Sequence, residues 1–314
     1  MTTERPDLAE RIAFIGFGEA AAALVQGWRT VADMAITAFD IKTDDPAARA
    51  GKFDDYQHQG VTGAPTAGDA VAFADVIVSA VTAEAAAVAA YSAAAEMRPG
   101  TLYLDINSAA PSRKREAAEA VATAGVEYVD VAVMAPVHPA LHRTPVLISG
   151  PGVKRAEDLL RRLDMRFETI SDKVGDASTI KMVRSVMIKG IEALVAESIV
   201  AAVQQGIDER ILQSLDDTYP GMDWTRRAGY MLERMVRHGG RRAEEMREVA
   251  RTMEDLGIGG AMAAATAERQ QRVADLGLLE AFNGEVPEDH RILARAILGA
   301  EKEAILGAEG KQDR

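Results

Sequence analysis

Residues 174–205 read V-G-D-A-S-T-I-K-M-V-R-S-V-M-I-K-G-I-E-A-L-V-A-E-S-I-V-A-A-V-Q-Q, and they divide the chain into two unlike halves. Apolar side chains at Ile180, Val183, Met187, Ile191, Leu194, Val195, Ile199 and Val203 recur at helical spacing in a wide stripe, which predicts one long helix. Asp176 or Ser178 is placed to cap its start. Lys181 stands in the first turns, and Arg184, Ser185, Ile188 and Glu192 follow it on one face. The residues before this helix read as alternating strands and helices, and those after it as helices alone. A helix at such a junction is a place to expect a ligand cleft.

Upstream, Ile12 to Ile15 is a short apolar run expected to form a buried strand. It leads into Gly16-Phe17-Gly18-Glu19-Ala20-Ala21 and then an Ala-rich helix ending near Trp28. This is the G-x-G-x-x-G/A dinucleotide pattern in its required context, strand before and helix after. Gly16 permits the tight turn, Gly18 lets the backbone approach a pyrophosphate at the helix N-terminus, and Ala21 lets the helix pack closely on the strand. Phe17, Glu19 and Ala20 complete the expected cofactor loop. The next strand, Ala35 to Asp40, ends in an acid 19 residues beyond Ala21, where a ribose-binding carboxylate belongs. Such an acid favours NAD over NADP, although Lys42 and Lys52 could still accept a 2′-phosphate. Asp75 to Val81 is a continuous apolar strand of the parallel-sheet kind, with Thr82 at its end. Thr101 to Ile106 is another, followed by Asn107-Ser108 and a helix opened by Pro111. Val81, Thr82 and Asn107 are expected to flank the nicotinamide half.

Strands are further expected at 126–133, 145–149 and 166–170, with a helix at 153–163; the polar stretch 44–68 carries no clear pattern. Beyond the long helix, the periodicity predicts helices near 208–218, 223–237, 241–256, 259–276 and 288–306, then a loose tail at 307–314. The fold class expected is α/β: a Rossmann-type doubly wound sheet over residues 1–173, then an all-α substrate and dimerisation domain over 174–314 joined through the long helix. The chain of 314 residues has a net charge of −12 and no basic run, which argues against nucleic acid and anionic membrane as partners. It has no cysteine, so thiolate catalysis and cysteine-held metal are excluded, and no metal is expected. No apolar run reaches membrane-spanning length, and the polar start M-T-T-E-R-P-D-L-A-E-R is unlike a signal peptide; cytoplasm is the expected compartment.

With the glycine loop, the long helix and the helical second half in view, the chain resembles the β-hydroxyacid dehydrogenases, which include 3-hydroxyisobutyrate dehydrogenase and 6-phosphogluconate dehydrogenase. Within them, K-M-V-R-S-V-M-I-K-G-I-E-A-L-V-A-E and R-R-A-E-E-M-R-E-V-A resemble the poorly characterised phosphogluconate-dehydrogenase-like branch. Against the family's G-x-G-x-x-x-K-x-x-N segment, Gly175 and Lys181 match, Ala177 replaces the second glycine, and Arg184 replaces the asparagine, with Ser185 beside it. The resemblance implies that Lys181 is the acid/base for the substrate hydroxyl. Hydride transfer from a carbinol carbon independently needs such a base, and Arg184 one turn away would ease its deprotonation by like-charge repulsion. Against the family's D-x-P-V-S-G-G loop, Asp130 matches, while Met134, Ala135 and Pro136 stand for the serine and glycines. Methionine cannot donate a hydrogen bond and proline has no amide hydrogen, so the pocket is expected to be more apolar, with His138, His142 or Arg143 available for a carboxylate. Met134, Ala135, His138, Arg184, Ser185 and Arg242 are the substrate-binding candidates, and the Tyr219–Trp224 turn, Met231, His238 and Arg241 lie in a region that can line a cleft.

The expected function is an NAD(P)-dependent oxidoreductase interconverting a β-hydroxy acid, or a related alcohol, and its carbonyl. An imine reductase on the same fold and a non-catalytic nucleotide-binding scaffold are the alternatives. A homodimer is expected from the resemblance and from the greasy surface of the long helix.

Overall fold

The computed structural model describes residues 10–312, with side-chain surroundings as far as residue 304. The expectation for the first residues therefore lies, up to residue 9, outside the described part. The chain falls into two compact units divided between Met182 and Val183.

The first unit alternates strand and helix: β1 (Ile12–Ile15), α1 (Glu19–Trp28), β2 (Ile36–Phe39), α2 (Pro46–His58), β3 (Thr62–Gly63), α3 (Ala67–Val71), β4 (Val76–Ser79), α4 (Ala86–Ala94), β5 (Leu102–Asp105), α5 (Pro111–Ala122), β6 (Glu127–Val133), β7 (Val146–Ser149), α6 (Val153–Arg162) and β8 (Phe167–Ser171). The strands form one sheet in the order β3-β2-β1-β4-β5-β6-β7-β8. All neighbours are parallel except β6 and β7. The chain builds outward in one direction through β2 and β3, then in the other from β4, so the switch point lies between β1 and β4. Strands β1, β4 and β5 are buried along their whole length, as helix-covered parallel strands must be. Alternate residues feed opposite faces. Phe14, Val78 and Leu104 pack with α1 and α6, whereas Ile15, Ile77 and Tyr103 pack with α3, α4 and α5.

Two elements in the stretch 44–68 carried no pattern in the sequence. Helix α2 starts at Pro46 with the Asp45 side chain accepting from the Ala47 amide, and β3 follows as a two-residue edge strand. The cap and the N-terminal proline are a start signal, but α2 has only Lys52 and Tyr56 buried, too few to show a periodic stripe.

Helix α7 (Asp176–Gln205) starts in the first unit and continues into the second. Neither residue expected to cap it does so. The Ala177 amide donates to Ser149 Oγ at 3.0 Å and the Ser178 amide to Asp130 Oδ2 at 2.9 Å, so the sheet supplies the caps. The Ser178 hydroxyl instead donates back to the Gly175 carbonyl.

The second unit adds α8 (Asp208–Thr218), α9 (Trp224–Asp255), α10 (Ala261–Asp275), α11 (Leu278–Ala281) and α12 (His290–Gln312). The two helices expected at 223–237 and 241–256 are a single helix of 32 residues. Gly239 and Gly240 do not interrupt it, because α10 packs against it there: a Cβ on Gly239 would lie 2.7 Å from the Gln270 carbonyl oxygen. Tertiary packing overrides a local propensity penalty of about 1 kcal/mol per glycine. Likewise the tail expected at 307–314 is helical as far as Gln312, and only residues 313–314 lie outside the described part. The core of this unit joins Val195 and Ile199 of α7 to Leu232 and Met235 of α9 and Leu293 and Ile297 of α12.

Candidate functional site

Register places one row of residues across the sheet. Phe39, Ile15, Ser79, Asp105, Asp130 and Ser149 are successive partners on β2, β1, β4, β5, β6 and β7. The expected site residues of the first unit hang from this row. Gly16 follows Ile15, Val81 and Thr82 follow Ser79, Asn107 follows Asp105, and the start of α7 is bonded to Asp130 and Ser149.

At the switch point Gly16 has φ +84°, and a Cβ there would lie 2.7 Å from the Ala80 carbonyl carbon. Only glycine meets both demands. Gly18 is exposed at the N-terminus of α1, with no side chain capping the helix and nothing within 4 Å of where its Cβ would be. Free helix-end amides beside open space suit a pyrophosphate, so the loop fits a dinucleotide. Glu19 is exposed and Ala20 half-buried on this loop. Phe17 differs: its ring is 2% exposed and packs against Phe14 and Tyr56, leaving only its backbone at the loop.

Asp40 is half-buried beside this loop. Its Oδ2 accepts from the Phe17 amide at 2.8 Å and its Oδ1 from the Lys42 amide at 3.0 Å. Each carboxylate oxygen retains a lone pair, so ribose hydroxyls can still be accepted. Lys42 is exposed. Lys52 is not available to a 2′-phosphate: its ammonium is buried, donates to the Phe17 carbonyl, pairs with Asp55 at 3.1 Å, and sits over the Phe17 and Tyr56 rings. It braces the glycine loop from beneath.

Asn107 is 4% exposed, and its amide works inward. Oδ1 accepts from the Val81 amide at 2.6 Å and Nδ2 donates to Ser79 Oγ at 2.9 Å. It therefore shapes the turn after β4, while Thr82 in that turn is exposed. Beneath it lies a cluster whose charged members were not singled out as a group in the sequence. Lys114, Asp105 and Asp130 are each fully buried. The Lys114 ammonium lies 2.8 Å from Asp105 Oδ1 and 3.3 Å from Asp130 Oδ1. The Tyr128 hydroxyl donates to Asp105 Oδ2 at 2.5 Å, and burial together with Asp105 pushes its ionisation well above the ordinary tyrosine range. Lys114 shares a face of α5 with buried Ala117 and Val121, at i+3 and i+7, and that spacing is the signal that could have found it.

Lys181 is half-buried, one turn after the capped start of α7. In the β6–β7 connection Met134 is half-buried, with its amide donating to the Pro145 carbonyl, and Ala135 and His138 are exposed. His142 is 7% exposed against Gly27 of α1, so it is no longer a candidate for holding a carboxylate, and burial lowers its affinity for a proton. In the second unit Arg184 is exposed, while Ser185 is buried and accepts from the Lys189 ammonium at 3.4 Å. Arg242 is buried and ion-paired with Glu192, a partner that directs it into its own unit. His238 is held down to about pKa 4 by burial and by Arg234 and Arg241.

A glycine turn at a switch point, a strand-end acid and an exposed helix N-terminus define a nicotinamide-dinucleotide-binding α/β domain. Residues 11–174, more than half of the chain, match the family described as the NAD binding domain of 6-phosphogluconate dehydrogenase, and residues 202–273 match a domain of unknown function, DUF1932. The chain belongs to the β-hydroxyacid dehydrogenase superfamily. It is 35% identical to a conserved hypothetical protein from Sinorhizobium meliloti 1021, over 93% of this chain and 97% of that one, with a TM-score of 0.73. It is 28% identical to the conserved protein MTH1747, described as structurally similar to 3-hydroxyacid dehydrogenases, over 84% of this chain and 97% of that one, with a TM-score of 0.66. A 3-hydroxyisobutyrate dehydrogenase from Mycobacterium tuberculosis shares the fold at 19% identity, over 92% and 99% of the two chains, with a TM-score of 0.66. No helix among the described residues is long and apolar enough to cross a membrane.

Proposed function

We propose that this chain is an NAD(P)-dependent oxidoreductase that interconverts a β-hydroxy acid, or a related alcohol, and its carbonyl. The observation that carries the reading is the shared row across the sheet: the glycine loop after β1 and the start of the helix bearing Lys181 both hang from it. Gly16, Gly18 and the α1 amides would hold the pyrophosphate, Asp40 the adenosine ribose, and the Val81–Thr82 turn would flank the nicotinamide. A bound nicotinamide supplies the hydride acceptor or donor. Lys181 takes the proton from the substrate hydroxyl on oxidation and returns it on reduction. Asp40 favours NAD over NADP, and with Lys52 buried the exposed Lys42 is the remaining lysine by which a 2′-phosphate would be held. Met134 supports a less polar pocket than the family's serine loop provides, with Ala135 and His138 as further substrate contacts in the first unit.

The same reading takes the protein as cytoplasmic and homodimeric, with a small hydroxy acid as partner and neither nucleic acid nor membrane. Val183, Met187 and Leu194 of α7 are 48%, 63% and 60% exposed, which supports a second copy as their cover. Solution light scattering at twice the chain mass is the expected outcome, and a monomeric mass removes the dimer.

The first test is melting temperature with NADH and NADPH side by side. A ligand at a hundred times its dissociation constant stabilises by about 2.7 kcal/mol, which is several degrees for this chain length. A shift with NADH then justifies a panel of hydroxy acids with NAD⁺, and Lys181→Ala should lower turnover on any hit by about a hundredfold or more. Turnover of cyclic imines alone favours the imine reductase reading, and no shift with either nucleotide favours the scaffold.

A further inference from the structure

The buried cluster around Lys114 joins two places that the proposed chemistry must hold in register. On one side, Asp105 Oδ1 accepts from the Asn107 amide at 2.9 Å, and Asn107 Oδ1 accepts from the Val81 amide at 2.6 Å, at the turn expected to flank the nicotinamide. On the other, Asp130 Oδ2 accepts from the Ser178 amide at 2.9 Å, one turn before Lys181. Lys114 stands between them, hydrogen-bonded to Asp105 at 2.8 Å and ion-paired with Asp130 at 3.3 Å, without a hydrogen bond to it. It also donates to the Asp105 backbone carbonyl at 2.7 Å.

Within the cluster two carboxyl groups face one ammonium. Burying charged groups is costly, and the N-terminus of α7 offsets this with its partial positive charge and the Ser178 amide, which donates to Asp130. The helix start is thus held electrostatically as well as by a cap. α5 adds a steric stop: a Cβ on Gly175, at φ +102°, would lie 2.9 Å from the Arg115 guanidinium and 3.1 Å from the Pro111 ring.

We infer that Lys114 is a positioning residue that ties the turn carrying Val81 to the first turn of α7, and so holds Lys181 at the nicotinamide edge. The inference rests on the proposed role of Lys181. Its physical core, a two-armed tie with Lys114 at the node, is testable apart from that role.

The experiment is hydrogen exchange read by peptide mass on the full chain, for the wild type, Lys114→Met, Asp130→Ala, Asp130→Asn and Asn107→Ala. Cutting the node should raise exchange about tenfold or more in both the segment around Val81 and the segment 176–182, with β1 and β2 unchanged. Asp130→Ala should loosen only segment 176–182, and Asn107→Ala only the turn after β4. Asp130→Asn should restore protection relative to Asp130→Ala, because the amide oxygen can still accept from the Ser178 amide. The positioning of Lys181 is read by acetic anhydride labelling against pH with NADH present. Lys114→Met and Asp130→Ala should each displace the midpoint for Lys181 by about half a pH unit or more, with recovery in Asp130→Asn.

Should Lys114→Met not fold, the three single-arm variants still decide the matter. Loosening of both segments by either arm variant, uniform loosening of the whole unit, or no local change overturns the tie. Local loosening without any displacement of the Lys181 midpoint overturns the positioning role. An absence of NADH binding in the wild type, with the exchange pattern intact, fails the oxidoreductase reading instead.

Discussion

Gly16 is the residue where backbone conformation and function meet. Its φ of +84° and the closeness of the Ala80 carbonyl leave no room for a methyl group. Left-handed backbone costs a non-glycine residue on the order of 1–3 kcal/mol before any clash is counted. Gly16→Ala should therefore weaken NADH binding about tenfold or more, seen as loss of the thermal shift, whereas Gly18→Ala has space for its Cβ in the free protein. His142 is a second residue-scale case. Neither ring nitrogen has a hydrogen-bond partner among the described residues, and the ring is buried against Gly27. His142→Leu removes two unpaired polar atoms and should stabilise the protein by about 1 kcal/mol in urea titrations at pH 8. A loss of stability there would mean that the ring holds a partner in solution. The glycine was legible in the sequence because G-x-G-x-x-A is a local pattern. The burial of His142 was not, because it depends on how the β6–β7 connection folds back on α1.

Among the elements, α9 shows what the residues around a glycine decide. Gly239 faces α10 at a distance that excludes a side chain, while nothing lies within 4 Å of a Cβ on Gly240. Gly240→Ala should stabilise by about 0.5–1 kcal/mol through helix propensity alone. Gly239→Ala should destabilise by about 1–3 kcal/mol, because α9 and α10 must separate to admit the methyl group. Denaturant midpoints of the two variants, moving in opposite directions, check this, and parallel movement would contradict the packing. The sequence pattern ends one helix before this glycine pair and begins another after it. A local pattern sees the cost of two glycines but not the neighbouring backbone that offsets it.

For the whole molecule, two histidines couple stability to pH with the same sign. Burial lowers the proton affinity of His142, and burial with Arg234 and Arg241 lowers that of His238 to about pKa 4. In the unfolded chain both titrate at the ordinary histidine value of about 6.5. Below that pH the unfolded state binds protons that the folded state refuses, so stability falls as pH drops from about 6.5 toward 4. Melting temperature should decline across that window and be level from pH 7 to 8, and His142→Leu should shallow the slope. A profile flat down to pH 5 would show that neither ring is held neutral.

The sequence by itself determined the α/β class, the glycine loop, the long helix and the helical second half, because each is written in short-range periodicity or in one contiguous motif. It also marked Asp40, by its distance from the glycine loop, and Lys181, by resemblance to the family's lysine segment. Only the tertiary structure decided what pairs with what. Asp130 caps α7, Asn107 turns inward to Val81, Lys52 braces the glycine loop, and Arg242 pairs with Glu192. Lys114 sits at the centre of a buried charge cluster whose members are far apart in the chain. The physical reason is common to all of them. A buried polar group must find its partner in space, and sheet register, which places β4, β5 and β6 side by side, is set by the packing of the whole unit and not by any one segment.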